Sequence, residues 1–391
     1  MENFNLCLST DYIFGRGAEK RVGTEAKRYG AHVALVVCGH SSARKSGLLQ
    51  RVLDSLEEAG IRTVTMEGID PNPTDDRVYE GIDLCREAGV DFIVAVGGGS
   101  VIDTAKAIAL GVPYKGDFWD FYSGKAKPAT ALPTGVVLTI PAAGSEGSGN
   151  SVITRLEGRH KISVRYPDIL RPRFALMDPE LTMSLPWFQT ACGVTDMMAH
   201  IFERYFSNTP GCEVTDGISE SLLRTIMEQA RLLRENGNDY EARANIMWAA
   251  CIAHNGLCGC GKVEDWASHR LEHEVSAIYN VAHGAGLAVI VPAWMTFVSR
   301  RNPAKVERFA TAVMGVSAEE KSTEQIIAEG IERLKEFFTE MGLTTSLRTL
   351  IGTEPDIETL VKSLNDNMGD VVGSYVPLTM PDCAEIYRLS L

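Results

Sequence analysis

An apolar, β-branched run, FIVAV (92–96), leads directly into Gly97-Gly98-Gly99-Ser100 and then into a helical pattern, SVIDTAKAIAL (100–110). No other feature restricts the fold as much. A strand with no polar face has to be buried on both sides, the position of a central strand in a parallel sheet. A helix that begins within a glycine turn of that strand lies back across the sheet, as a parallel crossover requires. The flanking sequence repeats the pattern. VALVVC (33–38) precedes helix-like GLLQRVLDSLEEAG (47–60), and IRTVTME (61–67) leads through the turn PNP (71–73) to helix-like DDRVYEGIDLCREAG (75–89). VVLTI (136–140) and FALMD (174–178) add strands. Residues 1–186 are therefore expected to form an α/β domain with a Rossmann-like parallel sheet and helices on both faces. Beyond Leu185-Pro186 long segments of helical spacing take over, among them GISESLLRTIMEQARLLREN (217–236) and EQIIAEGIERLKEFFTEMG (324–342). Residues 187–391 are expected to be all helical, with no internal repeat.

Composition excludes several classes. A chain of 391 residues suits two domains with sizeable cores. A formal net charge of −13 opposes binding to nucleic acid or an anionic membrane. No apolar run approaches the roughly 20 residues needed to span a bilayer. The first residues, MENFNLCLSTDYIFGRG, have neither a basic n-region nor an apolar h-region, so no secretory signal is expected. Nine cysteines make no even disulfide framework and fit a reducing cytoplasm. Cys258 and Cys260 form a C-x-C, but a closed zinc–thiolate site needs about four ligands, and no second pair is present. They are read as small packing residues.

Gly97, Gly98 and Gly99 mark a phosphate site. A helix N-terminus carries unsatisfied N–H groups and partial positive charge, and glycine lets the backbone approach an anion and adopt positive φ where the turn needs it. The run is not the G-x-G-x-x-G fingerprint. The end of the earlier strand, CGHSSARKSG (38–47), bears on cofactor choice. An acidic residue there would hold a ribose 2′-hydroxyl and repel a 2′-phosphate. Gly39 occupies that place, followed by Ser42, Arg44 and Lys45, which favours NADP(H) over NAD(H).

The second half holds a possible ion site. Asp196 and His200, spaced i, i+4, project from one helix face in GVTDMMAHIFERYF (193–206). His269 and His283 lie 14 residues apart in WASHRLEHEVSAIYNVAHGAG (266–286). One carboxylate and three imidazoles suit Fe²⁺ or Zn²⁺. His269-Arg-Leu-Glu272-His273 also matches the inverted zinc-peptidase motif, with Glu272 as base, yet that reading leaves Asp196, His200, His283 and the glycine run without a role. His273, one turn beyond His269, should face the same way without binding the ion.

Eight segments, FGRG (14–17), PNP (71–73), VGGGSVIDTAK (96–106), TIPAAGSE (139–146), DPELTMSLP (178–186), GVTDMMAH (193–200), WASHRLEH (266–273) and VAHGAG (281–286), occur in this order. In that order the chain resembles the iron-containing (group III) alcohol dehydrogenase family, within its butanol dehydrogenase and broad aldehyde reductase branch. The resemblance implies a dehydroquinate synthase-like architecture, a cytoplasmic homodimer, and hydride transfer between a primary alcohol or aldehyde and a nicotinamide, with the metal as Lewis acid. It carries Ser100 and Asp103 to the neighbourhood of the phosphate loop, and Thr139, Ser145 and Ser148 to the adenosine and phosphate wall. Lys161 goes to the nicotinamide ribose, and His273 to the proton relay. Family members usually have threonine where Ala143 stands, so one hydroxyl contact is missing. Glycerol dehydrogenase and dehydroquinate synthase relatives share the fold, but the metal quartet and PAAGSE favour the alcohol dehydrogenase branch. A metal-binding protein without catalysis is the remaining alternative.

Overall fold

Strands β1 (Asp11–Phe14), β2 (Val33–Cys38), β3 (Arg62–Met66), β4 (Phe92–Gly97), β5 (Thr134–Leu138) and β8 (Phe174–Met177) build one sheet, separated in sequence by β6 (Asn150–Arg155) and β7 (His160–Arg165). The sheet order is β1-β8-β5-β4-β2-β3, and every pairing in it is parallel. The computed structural model describes all residues, 1–391. They fall into two units, one of Cys7–Leu185 and one of Pro186–Leu391 together with Met1–Leu6.

The apolar runs explain the sheet. Ala34, Val36 and Cys38 of β2 and Phe92, Val94 and Val96 of β4 share a cluster with Val22 and Ala26 of helix Val22–Arg28 and with Leu48, Val52 and Leu56 of helix Leu48–Glu58. The intervening Leu35, Val37, Ile93 and Ala95 are equally buried, so both faces of the sheet are covered. Burying each valine, leucine, isoleucine or phenylalanine among them is worth about 1.5–3 kcal/mol, which is why a strand without a polar face settles in the middle. Helices Asp75–Ala88 and Gly99–Gly111 approach so closely that a Cβ on Gly81 would lie 2.2 Å from Ile108 Cδ1.

Three strands, β1, β6 and β7, differ from the sequence reading. β1 is an edge strand that pairs only with β8, and its DYIF is too short and mixed to announce itself. β6 and β7 form a separate antiparallel hairpin, turned by Gly158 at φ 78. Its strands are largely polar, NSVITR and HKISVR, and bury only Ser151, Ile153, Lys161 and Val164. The strand expected at 136–140 ends at Leu138, leaving Thr139 and Ile140 outside it.

The other unit packs helices around a large core containing Phe202, Phe206, Leu223, Ile246, Leu271, Trp294, Phe309 and Phe337. Helix His283–Ser299 is apolar all round, and Gly284 through Met295 are all buried, as a central helix must be. A short antiparallel pair, Val371–Val372 with Leu378–Thr379, is the exception to an all-helical unit. Glu2 N donates to Gly261 O at 2.9 Å, tying the first residues to this unit. No helix is long and apolar enough to cross a membrane.

Candidate metal centre and cofactor loop

Asp196 and His200 lie one turn apart on helix Trp187–Tyr205, His269 on helix Ala267–Tyr279, and His283 at the first position of helix His283–Ser299. Their side chains converge. Asp196 Oδ1 is 3.4 Å from His200 Nε2, 3.7 Å from His283 Nε2 and 4.0 Å from His269 Nε2. Four ligand atoms set about 2.1 Å from an ion at the centre of a tetrahedron are separated by about 3.4 Å. Those three spacings suit an Fe²⁺- or Zn²⁺-sized ion; ligand atoms of Asp196, His200 and His269 all lie within 4.8 Å of one another, whereas His283, which groups with Glu272 and His273, would have to draw in to complete the set. His269 Nε2 is buried with no hydrogen-bond partner, as expected of a nitrogen reserved for a metal.

Two glycines make the approach possible. A Cβ on Gly284 would fall 2.1 Å from Cys192 O, and one on Gly286 would fall 2.4 Å from Glu272 Oε1. The start of the His283 helix thus lies against both neighbouring helices only because HGAG has no side chains there.

Two carboxylates hold the imidazoles from behind. Glu203 Oε1 accepts from His269 Nδ1 at 2.6 Å, from His269 N at 3.0 Å and from Ser268 Oγ at 2.6 Å. Glu272 Oε2 is bonded to His283 Nδ1. Such partners fix Nδ1–H and leave Nε2 as the ligand nitrogen. Burial alone would raise the Glu203 carboxyl, but the bonds and charge from His269 and the bond from Ser268 outweigh it and hold it low. Burial, aided by His254, His269 and Arg204, pushes His200 well below its ordinary value, so the ring is neutral and its lone pair available. Sequence reasoning did not single out Glu203, although it follows Asp196 at i+7 and His200 at i+3 on one helix face.

His273 is half-buried, with its ring centroid 5.4 Å from that of His283 and 6.4 Å from that of His269. The peptidase reading needs Glu272 to face a bound water. Glu272 instead is fully buried against the His283 ring. Cys258 Sγ and Cys260 Sγ point at the carbonyls of Ile252 and Gly256, and neither joins a metal cluster.

The cofactor candidates gather at the C-terminal ends of adjacent parallel strands, where ligands of open α/β sheets bind. Cys38 is paired with Val96 and Gly97 with Leu138, so Gly39 follows level with Gly97, and Gly98 with Thr139. The glycines act through space rather than positive φ, a correction to the expectation above, since none of Gly97–Gly99 is in the left-handed region. A Cβ would lie 2.6 Å from Val101 Cγ2 at Gly97 and 2.8 Å from Ile140 Cβ at Gly98. Gly99 has room for one, the nearest atom being Ala143 Cβ at 4.0 Å. Ser100 follows in the first turn of the helix.

Asp103, Ser145 and Ser148 belong to a buried network built on Lys106, which sequence reading passed over. Lys106 Nζ donates to Ser145 O, Ser145 Oγ, Ser148 O and Asn150 O at 2.6–2.9 Å. Asp103 accepts from Ser145 Oγ at 2.6 Å and from Val152 N at 2.9 Å. Asp103 and the Ser145 hydroxyl thus brace the loop that faces the glycine run. Lys161 Nζ donates to Asn72 Oδ1 at 3.0 Å, which ties the hairpin to the PNP turn. Ser42, Arg44 and Lys45 are exposed on a one-turn helix after β2. Arg44 is not idle: its Nε and Nη2 both reach the Glu67 carboxylate, just past β3.

Residues 9–179 match the model of the iron-containing alcohol dehydrogenases, and residues 190–391 match that of the C-terminal region of the same family. The chain is 38% identical over 391 residues to NADH-dependent butanol dehydrogenase A of Clostridium acetobutylicum, covering 100% of both. It is 34% identical to NADPH-dependent aldehyde reductase YqhD of Escherichia coli, covering 99% of both. Among solved structures, NADH-dependent butanol dehydrogenase A from Thermotoga maritima superposes with a TM-score of 0.95 at 39% identity, covering 100% of this chain and 99% of that one.

Proposed function

The chain belongs to the iron-containing alcohol dehydrogenase family, and from that premise we propose the residues by which it works. It is a metal-dependent, NAD(P)-linked alcohol dehydrogenase or aldehyde reductase. The observation that carries the residue assignment is the convergence of three imidazole nitrogens on Asp196 Oδ1.

Asp196, His200, His269 and His283 hold a divalent ion, Fe²⁺ or Zn²⁺. An ion held there would supply Lewis acidity to the substrate oxygen, and a nicotinamide held by the glycine loop would supply or take up the hydride. Asp196 offsets part of the positive charge, and Glu203 and Glu272 keep the His269 and His283 rings aimed. The backbone N–H groups at Gly99 and Ser100 take the diphosphate. Thr139 and Ser148 line the same wall, braced by Ser145 and Asp103, and Lys161 reaches the nicotinamide ribose. His273 moves the proton at a ring nitrogen, because imidazole titrates near neutrality. Affinity alone favours zinc over iron, and cellular supply of the two metals can override that order.

For the cofactor, Gly39, Ser42, Arg44 and Lys45 support NADP(H). One observation favours a second reading, NAD(H): the Arg44 fork is held by Glu67, a carboxylate beside the strand end where a ribose would lie. The C. acetobutylicum relative is named for NADH and the E. coli relative for NADPH. A cytoplasmic homodimer completes the proposal, and light scattering of the purified protein tests the dimer. The deciding experiment is an aldehyde panel with NADPH and NADH after removal of all metal and reconstitution with Fe²⁺ or Zn²⁺. Oxidation of either cofactor that depends on added metal supports the reading. Turnover in the rigorously metal-free protein overturns it.

A further inference from the structure

Behind the metal centre lies a buried cation that the catalytic reading does not use. The Arg204 side chain is 2% exposed, in the last turn of the helix that carries Asp196 and His200. Its Nη1 donates to His200 O at 2.6 Å and its Nη2 is 2.9 Å from His254 Nδ1. Its Nε faces Glu264 Oε1 at 3.4 Å. The guanidinium lies 4.9 Å from the centre of the Trp266 ring, and Trp266 Nε1 donates to Glu264 Oε2 at 2.7 Å. Trp266 has a backbone φ of 68, a strained value for a residue that is not glycine. Its ring stands 5.7 Å from that of His200 and 5.2 Å from that of His269. The His254 ring is 4.1 Å from His200.

A guanidinium has five donors and no acceptor. His254 Nδ1 must therefore accept from Arg204, which puts the ring proton on Nε2 and fixes the tautomer. One side chain thus grips the His200 backbone and, through His254, holds a tilted ring against the His200 ring. Glu264 and Trp266 confine the guanidinium so that it cannot turn away. Planar, divided donation of this kind is the property that separates arginine from lysine.

We propose that Arg204 is a positioning residue of the metal centre: acting through His254, it holds the His200 imidazole in place, so that retention of the ion depends on the Arg204–His254 hydrogen bond. This rests on the assignment of Asp196, His200, His269 and His283 as ligands.

The test measures Co²⁺ in full-length protein freed of metal, by chelator competition and by the visible ligand-field bands of the bound ion. His254→Phe keeps an aromatic face but has no acceptor, whereas His254→Asn keeps an acceptor. His254→Phe is expected to weaken Co²⁺ binding about 10-fold or more, the usual scale for loss of such a supporting contact, and to alter the bands. His254→Asn is expected to stay close to wild type, with metal-free thermal stability similar in all three. Should His254→Phe fail to fold, Arg204→Lys replaces it and is expected to lose affinity in the same direction, because an ammonium does not reach both acceptors at once. Wild-type affinity and bands in His254→Phe, or an equal loss in His254→Asn, overturn the inference. His269→Ala is the separate control: Co²⁺ binding as tight as wild type in that variant overturns the ligand assignment itself.

Discussion

Glu203 Oε1 sits 2.6 Å from His269 Nδ1 and accepts two further donors, the His269 N–H and the Ser268 hydroxyl. A single carboxylate oxygen thereby fixes the tautomer, the ring orientation and the first turn of the helix that carries His269. Glu203→Ala is expected to lower metal affinity about 10–100-fold, the range typical of supporting partners of ligating histidines. Glu203→Gln should lose less, because an amide oxygen can still accept from Nδ1. Equilibrium dialysis against Zn²⁺ separates the two, and equal affinity in Glu203→Ala and wild type would refute the role.

Removing a ligand is a sharper intervention. His269→Ala and His283→Ala are each expected to lose most bound metal and turnover while keeping the fold. Metal content by mass spectrometry, alongside circular dichroism, checks this. Stoichiometric metal with full activity in either variant rejects the assignment.

His273→Ala separates proton transfer from metal binding. With the ligands untouched, the ion should stay, and kcat should fall about 10²-fold or more, the usual contribution of a positioned acid or base. Loss of metal would instead make His273 a ligand.

A carboxyl in the other unit has a pH signature. Glu146 is fully buried beside Lys106, and burial raises it to about 7 despite the opposing charge of Lys106. Between its ordinary value and that value the folded chain holds a proton that the unfolded chain has released, so stability falls as pH rises through this window. Above it the penalty is constant, on the order of 3 kcal/mol. Glu146→Gln is expected to flatten the slope and to be more stable than wild type at pH 8. Urea denaturation at pH 5 and pH 8 measures both, and an unchanged slope would show that the carboxyl stays ionised throughout.

The legible features were those written in local periodicity. FIVAV, VALVVC and the FALM of FALMD announced buried strands because all their side chains are apolar, and Asp196 with His200 announced a shared face by a four-residue spacing. β1 stayed hidden because its four residues acquire meaning only from pairing with Phe174–Met177, far along the chain. The Lys106 network was invisible for a related reason. A lysine inside VIDTAK is indistinguishable from a surface residue until Ser145, Ser148 and Asn150 fold onto it. Arg204 and His254 lie 50 positions apart, and nothing in either segment alone joins them. Arg44 illustrates the opposite error: its exposure was legible, but its partner Glu67, just past the next strand, was not.

That partner gives the proposed cofactor preference a test. Glu67 takes both Nε and Nη2 of Arg44, and the bond holds the Glu67 carboxyl below its ordinary value, so it is ionised at neutral pH. A 2′-phosphate entering this corner has to draw Arg44 away from Glu67 and meets the carboxylate as a like charge. Ser42 and Lys45 remain to receive it. Glu67→Gln is therefore expected to raise kcat/KM for NADPH relative to NADH. One charge-assisted hydrogen bond gained, about 1.5–3 kcal/mol before solvent weakens it, corresponds to roughly tenfold or more. Gly39→Asp should act in the other direction and restrict the enzyme to NADH. The site has room for it, since a Cβ at Gly39 would lie 3.6 Å from Ile69 O and 3.9 Å from Val101 Cγ2, ordinary contacts. The wild-type ratio distinguishes the two readings: above one for NADPH, Arg44 leaves Glu67 for the phosphate; below one, Glu67 serves as the ribose carboxylate that Gly39 cannot supply. If neither substitution moves the ratio, this corner does not touch the adenosine ribose at all.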